Sequence, residues 1–152
     1  LWRTVLDLNR VATYADRDGE LRGQPQRRQL VITDAILAGE GEGPLAPEPV
    51  EMGVLIGATD PLAAEIAAAR LAGWPEDCLP AIANAFRIGK YPLAANTAID
   101  LCAFESERGE LAPSDWRAMV RQLRPAEGWL EALTGGVPKG HICAEALPVE
   151  AS

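Results

Sequence analysis

The chain has 152 residues, which is enough for one domain of ordinary size with a sizeable core. Its composition, with 48% hydrophobic and 24% charged residues, is normal for a globular protein and argues against intrinsic disorder. The formal net charge of -8 argues against nucleic acid as a partner, and no apolar run approaches the roughly 20 residues that a membrane span needs.

The first predicted element is an amphipathic helix over 1–14, whose apolar stripe we expect to be buried. The sequence starts without Met inside this helix, so we expect the chain to be the C-terminal portion of a longer protein whose missing N-terminal part is its partner in the fold. A polar connector follows over 15–29. Its Asp-Arg-Asp-Gly core at 16–19 is similar to the start of a calcium loop, but the later ligands are missing, so a plain turn is the better interpretation. The apolar stripe of the helix predicted over 1–14 consists of Leu1, Val5, Leu8 and Ala12.

The next segment combines a short strand with a glycine-rich acidic loop. Residues 30–33 (LVIT) are apolar and β-branched, which is typical of a strand buried on both faces. This strand ends at Asp34, and in open α/β sheets the ligand crevice lies outside the carboxyl ends of the strands. We therefore expect the site to lie at Asp34 and the loop that follows. The loop carries Gly39, Glu40, Gly41, Glu42 and Gly43.

A second strand and a helix complete the central part of the chain. Residues 44–49 (PLAPEP) indicate an extended connector, because proline pushes the residue before it toward extended conformations. The apolar run Met52–Ala58 predicts the second strand. A helix then begins at Asp60, which can cap it, with Pro61 at the first helical position. This alanine-rich helix should end at Gly73.

The second half of the chain contains fewer clear elements. We expect a helix over 79–88, a third strand over 98–104 and a helix over 114–124, the last because its apolar residues recur at i, i+3, i+4 and i+7. Residues 113–152 form a C-terminal helical and irregular segment of a single unit that spans 1–152.

This order of elements predicts an α/β fold with a small, at least partly parallel sheet and flanking helices. Three strands leave unpaired edges, which again indicates part of a larger domain. We expect strands 30–33 and 54–58 to be mostly buried neighbours, with Asp34 and Thr59 at the same edge of the sheet.

Acidic side chains near the two strand ends predict a site for a divalent cation, magnesium or manganese. Magnesium takes oxygen ligands, often one or two carboxylates together with water and substrate phosphate. Glycine and strand-end backbone groups next to it can lie against a small anionic ligand. The predicted metal ligands are Asp34, Glu40, Asp60 and Glu65. The predicted ligand-binding residues are Gly39, Gly41, Gly43 and Thr59.

These residues also have structural interpretations. The loop matches neither the Walker phosphate-binding pattern nor the dinucleotide-binding G-x-G-x-x-G pattern, so its glycines can instead serve tight turns while its glutamates are solvated. Asp60 can be a simple helix cap, and Glu65 can belong to a solvated helix face.

The cysteines and the single histidine form no local catalytic or metal-binding motif. Cys78, Cys102 and Cys143 are odd in number and widely spaced, which fits reduced thiols in the cytoplasm. No CxxC pair supplies zinc or iron–sulfur ligands. His141 can act as an acid or base at neutral pH, but no triad partner lies near it in the sequence.

Several segments, taken in order, resemble one family. They are LWRTVLDLNR, TDAILAGEGEGPL, GVLIGATDPLAAE, KYPL at 90–93, RPAEGW and KGHI. Over 1–142 the chain is similar to the family catalogued as domain of unknown function 362, whose members show D-G-I-x-A-G-E-G-x-G-P, then D-P-x-A-x-D, and finally G-W-K-G-H-I. Full members are longer on the N-terminal side, which agrees with a C-terminal portion.

The chain departs from the family pattern at three places. Ala35 stands where the family usually has Gly, and Glu65 stands where it has Asp, which keeps a carboxylate but lengthens its reach. The final run is split between 128–129 and 139–142. The resemblance implies a functional Asp34 and glycine-rich segment, but it supplies no reaction.

The sequence leaves three functions open. The first is an enzyme domain whose acidic glycine loop holds a divalent cation and a small anionic substrate. The second is a redox or electron-transfer accessory, implied only by relatives that carry ferredoxin-like cysteine clusters, which this chain lacks. The third is a non-catalytic ligand-binding module.

Overall fold

The computed structural model describes residues 1–94, 105–107 and 109–129, and a long β-hairpin is its central feature. Strand β1 (Val31–Glu42) pairs antiparallel with β2 (Ala46–Ala58). The register places Val31 opposite Ala58 at the base of the hairpin and Glu42 opposite Ala46 at its tip. A bulge between Ala35 and Leu37 interrupts the pairing once.

The α/β class is confirmed, since helices flank this small sheet, but the expected parallel pairing is wrong. Only residues 43–45 connect the two strands, whereas a parallel crossover needs a dozen residues or more. The predicted loop at 39–42 is therefore part of β1, and most of the predicted connector at 44–49 is part of β2. Two prolines fit here because this strand has a free edge in the described part of the chain.

Antiparallel pairing also changes the relation between Asp34 and the end of β2. Asp34 lies inside β1 opposite Leu55, whereas Thr59 follows β2 at the base of the hairpin. The prediction that the two strands are neighbours is confirmed, but the prediction that Asp34 and Thr59 emerge at one strand-end edge is wrong.

One face of the hairpin is covered and the other is open in the described structure. Helix α2 (Pro61–Leu71) contacts both strands and half-buries alternate residues on its side, such as Val31 and Ile56. On the other side, Ile32 is 69% exposed and Leu55 is 63% exposed. Among the described residues, the strand at 30–33 is therefore not buried on both faces as expected, and the expectation that both strands are mostly buried is wrong.

The core lies between α2 and its neighbouring helices. Ile66 of α2 and Ile82 of the short helix α3 (Pro80–Ala85) are both fully buried. Helix α2 ends as predicted, because Gly73 adopts φ +73°, a left-handed conformation that glycine takes without strain. The expected helix over 79–88 is confirmed in its central part. The buried core residues are Leu6, Leu62, Ile66, Ala69, Ile82 and Ala85.

Helix α1 (Trp2–Tyr14) is confirmed, but it buries a different face from the predicted one. Leu6 and Tyr14 are buried, and the Tyr14 hydroxyl donates a hydrogen bond of 2.6 Å to the Pro92 carbonyl. The predicted stripe of Leu1, Val5, Leu8 and Ala12 is exposed. The helix packs mainly on α3, and the core that α3 forms with α2 selects the face that contains Leu6.

The connector after α1 is the expected turn. Asp16 Oδ1 accepts hydrogen bonds of 3.0 Å from the Asp18 and Glu20 backbone N–H groups. Gly19 adopts φ +88°. A hydrogen bond from the Arg22 guanidinium to Asp16 lowers the pKa of that carboxyl.

The C-terminal part that is described contains short elements only. A small hairpin pairs β3 (Glu105–Ser106) with β4 (Gly109–Glu110), and helix α4 spans Pro113–Met119. The helix predicted to reach residue 124 therefore stops early, and residues 120–126 form neither helix nor strand. The predicted strand over 98–104 lies outside the described residues. None of the helices described has the length and apolar character of a membrane span.

Candidate functional site

A cleft of about 850 Å³ lies at the base of the hairpin. Its floor is apolar and includes the buried side chains Leu62 and Ile82, and its rim carries polar and charged groups. The size and the mixed lining are those of small-molecule sites. The polar and charged lining residues are Asn9, Thr13, Arg27, Arg28, Gln29, Thr59, Asp60 and Glu65.

The turn from β2 into α2 forms one wall of this cleft. Asp60 has an extended backbone and caps α2, with Oδ1 accepting hydrogen bonds from the N–H groups of Leu62 at 2.8 Å and Ala63 at 3.4 Å. The structural interpretation of Asp60 is therefore observed. Since Asp60 also lines the cleft beside Thr59, capping holds its carboxylate at the cleft wall.

Two consecutive arginines, Arg27 and Arg28, also line the cleft. The Arg27 guanidinium donates hydrogen bonds to the carbonyls of Ala12 at 3.0 Å and Ala15 at 2.6 Å, where a cation also complements the C-terminal end of the α1 dipole. Arg28 lines the cleft but makes no hydrogen bond or ion pair with the described residues. The sequence analysis did not identify these arginines as site residues, so this cleft contact was missed.

A second, smaller groove of about 370 Å³ separates α2 from the covered face of the hairpin. Asp34 and Glu65 lie on its border, and the rest of the lining is mainly apolar. Asp34 Oδ1 accepts a hydrogen bond of 2.9 Å from the Ile36 backbone N–H at the bulge. Glu65 lines both cavities and is the candidate residue that connects them.

The two glutamates of the predicted loop bind the backbone of residues 124–127. Glu40 Oε2 accepts a hydrogen bond of 2.9 Å from the Arg124 N–H, and Glu42 Oε1 accepts one of 2.7 Å from the Glu127 N–H. The Gly41 N–H donates to the Arg124 carbonyl at 2.7 Å. The interpretation that these glutamates lie in a turn is wrong, because both lie in β1 and bind backbone N–H groups, while Glu42 remains exposed.

The Arg124 side chain adds charge pairing to these contacts. Its guanidinium lies 2.8 Å from Glu48 and 3.6 Å from Glu40. The hydrogen bond with Glu48 raises the pKa of Arg124. The acidic segment is thereby neutralised in part by a residue of the chain itself.

The three glycines of the motif differ in their surroundings. Gly41 adopts φ +76°, and an added Cβ would lie 3.3 Å from an Arg124 guanidinium nitrogen. A Cβ on Gly39 would lie 2.8 Å from the Pro47 Cβ, which is too close. A Cβ on Gly43 would meet only Pro47 at 3.9 Å, an ordinary contact. Close packing within the chain thus accounts for Gly39 and Gly41.

The candidate residues do not converge on one point. Thr59, Asp60 and Glu65 share the larger cleft, Asp34 joins Glu65 at the smaller groove, and Glu40 lies near the hairpin tip. Within the residues described, no group of three His, Cys, Asp or Glu side chains is arranged to hold a metal ion. Cys102, His141 and Cys143 lie outside the part of the chain that the structure covers.

Comparison with known proteins gives one match. Residues 1–70 match the model of the family described as Domain of unknown function (DUF362), so the resemblance is shown over that range. The matched range extends from the chain start almost to the end of α2 and contains every candidate metal ligand and ligand-binding residue. No curated protein and no solved structure matches the chain.

Proposed function

We propose that this DUF362-like chain binds a small anionic molecule with an apolar part in the cleft at the base of the hairpin. The observation that carries the proposal is the pairing of an apolar floor with Arg28 at the rim. An apolar floor favours a hydrophobic portion of a ligand, whereas a guanidinium binds carboxylate or phosphate in a bidentate manner. A ligand with an apolar part and an anionic part can contact the apolar floor and Arg28 at the same time.

The other lining groups support a defined orientation of such a ligand. Thr59 and Asn9 offer polar groups near the floor, while Arg27 is already used to end α1. Arg28 is therefore the cation in this cleft that can bind a ligand without breaking a contact with the described residues. Polar groups at a few positions around an apolar floor are what orient ligands in small-molecule sites.

A metal-dependent enzyme is the second candidate, favoured by the two carboxylates on the α2 side of the same cleft. Magnesium is commonly held by one or two carboxylates together with substrate phosphate oxygens, and Asp60 and Glu65 supply such a pair beside Arg28. In this version Asp60 and Glu65 would hold the cation, which would supply positive charge to the anionic group of the ligand.

A titration with the apolar anion 1-anilinonaphthalene-8-sulfonate tests the first proposal. Arg28→Gln should weaken binding about fivefold, which corresponds to about 1 kcal/mol. Arg17→Gln is the matched control, because Arg17 is exposed and lies outside the cleft lining. Equal affinity in the wild type and Arg28→Gln would remove Arg28 from the site.

The apolar part of the proposal has its own pair of variants. Leu30 lines the cleft and is exposed, so Leu30→Glu should keep the fold but repel the anion and weaken binding. Leu45→Glu places the same charge at the exposed hairpin tip and should leave binding unchanged. An equal loss in both variants would show that net charge, not the cleft, governs binding.

The metal-dependent version is tested with pyrophosphate in the presence and absence of magnesium or manganese. Either cation should raise the affinity for pyrophosphate in the wild type but not in Glu65→Gln. An increase that survives this substitution would place the cation elsewhere.

A further inference from the structure

Residues 120–127, called the strap here, connect the C-terminal end of α2 to the tip of the hairpin. At the α2 end, the Arg121 N–H donates to the Leu71 carbonyl at 2.8 Å, and the Leu123 N–H donates to the Ala72 carbonyl at 3.0 Å. These contacts satisfy carbonyls that the last turn of a helix leaves without partners. The Trp74 indole N–H also donates to the Leu123 carbonyl at 2.9 Å.

The middle of the strap covers the smaller groove. The Leu123 side chain is only 7% exposed, and together with Trp74 it lines the groove between α2 and the hairpin. The opposite wall is formed by small and apolar residues of the two strands, including Ala38 and Met52. Removing Leu123 would expose this apolar lining to solvent, so its position decides whether the groove is open or closed.

The hairpin end of the strap is held in two ways. The Glu40 and Glu42 carboxylates accept hydrogen bonds from strap N–H groups, and the Gly41 N–H donates to the Arg124 carbonyl. The Arg124 guanidinium adds ion pairs. Arg124 contacts Glu40 and Glu48, and its own side chain is 54% exposed, while that of Glu48 is 69% exposed. Ion pairs this exposed are weak and are screened by salt, since the Debye length falls from about 10 Å at 0.1 M to about 3 Å at 1 M. The contacts of the α2 end are hydrogen bonds to backbone and do not depend on ionic strength in this way.

We propose that the strap is a salt-sensitive lid on the smaller groove. Loss of the Arg124 ion pairs with Glu40 and Glu48 weakens the hairpin end, so that its remaining hydrogen bonds and those of the adjacent Leu123 open together. The Leu123 side chain then leaves the groove. In this arrangement the acidic glycine segment at 39–43 binds the strap and so keeps the lid closed. This role is independent of ligand binding in the larger cleft.

Amide hydrogen exchange on the whole chain, read residue by residue, tests the lid. When the salt concentration rises from 0.1 M to 1 M, the Gly41 and Leu123 amides should exchange about fivefold faster together. The indole N–H signal of Trp74 should shift in parallel, since it reports the bond to the Leu123 carbonyl. Amides in the middle of α2, such as Ile66, should keep their exchange rates.

Charge variants on the hairpin complete the experiment. Glu48→Gln and Glu40→Gln should show fast exchange at Leu123 already at 0.1 M salt, with little further change at 1 M. Glu51→Gln is the matched control, because Glu51 is exposed on the same strand as Glu48 and is absent from the strap contacts. It should behave as the wild type does.

Two results would overturn the proposal. If the Gly41 amide opens while Leu123 and the Trp74 indole do not change, the two ends of the strap are independent and no lid exists. If Ile66 exchanges faster by the same factor as Leu123, salt acts on the whole domain and not on the strap.

Discussion

The glycines at positions 41 and 43 should respond differently to alanine, although they belong to the same motif. Gly41 adopts φ +76°, a conformation that costs an L-residue roughly 1–2 kcal/mol. Gly43 is not among the glycines with positive φ, and a Cβ there makes only an ordinary contact with Pro47 at 3.9 Å. Replacing Gly41 therefore strains the strand, whereas replacing Gly43 does not.

The magnitude follows from two opposing effects. Any glycine-to-alanine change restricts the unfolded chain and so stabilises the folded state by about 0.4–1 kcal/mol. This effect acts alone in Gly43→Ala, which should be stabilised by that amount. In Gly41→Ala the backbone strain exceeds it, and the Arg124 guanidinium at 3.3 Å must also move. The two variants should thus differ by roughly 1–2 kcal/mol in the free energy of unfolding.

Urea unfolding of the two variants, followed by circular dichroism, measures this difference. The expected difference in the free energy of unfolding corresponds to a separation of about 2–8 °C in melting temperature, since 1 kcal/mol shifts the melting temperature by about 2–4 °C for a chain of this size. Gly39→Ala is a third member of the series and should cost more than Gly43→Ala, because its Cβ would lie 2.8 Å from the Pro47 Cβ. Equal stability of all three variants would refute the structural account and favour glycines kept for a ligand.

Three other predictions concern carboxylates. Asp60→Ala removes the cap of α2 and should lower the free energy of unfolding by about 1 kcal/mol, measured with urea. The pKa of Asp16 is lowered in the folded state. Its contribution to stability is therefore present above the unfolded pKa and is lost as the pH falls through the folded pKa. Asp16→Asn should make the urea midpoint of unfolding less dependent on pH below about 4. A cation that binds the folded chain raises stability by about 2.7 kcal/mol at a hundredfold excess over Kd. Because Glu40 lies near the hairpin tip, bonded to Arg124 and apart from Asp34, Glu40→Gln should leave any such rise in melting temperature with magnesium or manganese unchanged. A rise that Glu40→Gln abolishes would contradict this prediction, and one that also survives Asp34→Asn would place the ion away from both residues.

Local sequence patterns predicted the elements whose ends are fixed by neighbouring residues. Helix α2 begins at Asp60 and Pro61 because cap and first turn are contacts within a few residues, and it ends before Gly73 because only that glycine takes the left-handed conformation easily. The turn at 16–19 was predictable for the same reason. Both partners of such contacts lie within a few residues of each other, so a short stretch of sequence is enough to predict them.

Contacts between distant residues explain what the sequence did not predict. The Arg124 N–H that binds Glu40 is separated from it by 84 positions, and no pattern near Glu40 indicates this partner. Apolar runs that would also suit a parallel strand form a hairpin because the connection at 43–45 is short. The buried face of α1 was predicted wrongly. Helical periodicity shows that one face is more apolar than another, but the neighbouring helices decide which face is buried.

Three of the candidate carboxylates are nevertheless linked through shared cavities, by a route that differs from the expected one. Parallel strand ends were expected to bring Asp34 and Asp60 to one edge, but the strands are antiparallel. Helix α2 connects them instead, because it leaves β2 at Asp60 and lies back across the covered face of the hairpin, so that Glu65 reaches both the cleft with Asp60 and the groove with Asp34. Glu40 is excluded from this arrangement by its bond to the strap. A ligand that depends on these carboxylates must therefore act through Glu65, which makes Glu65→Gln more informative about this region than any change in the glycine segment.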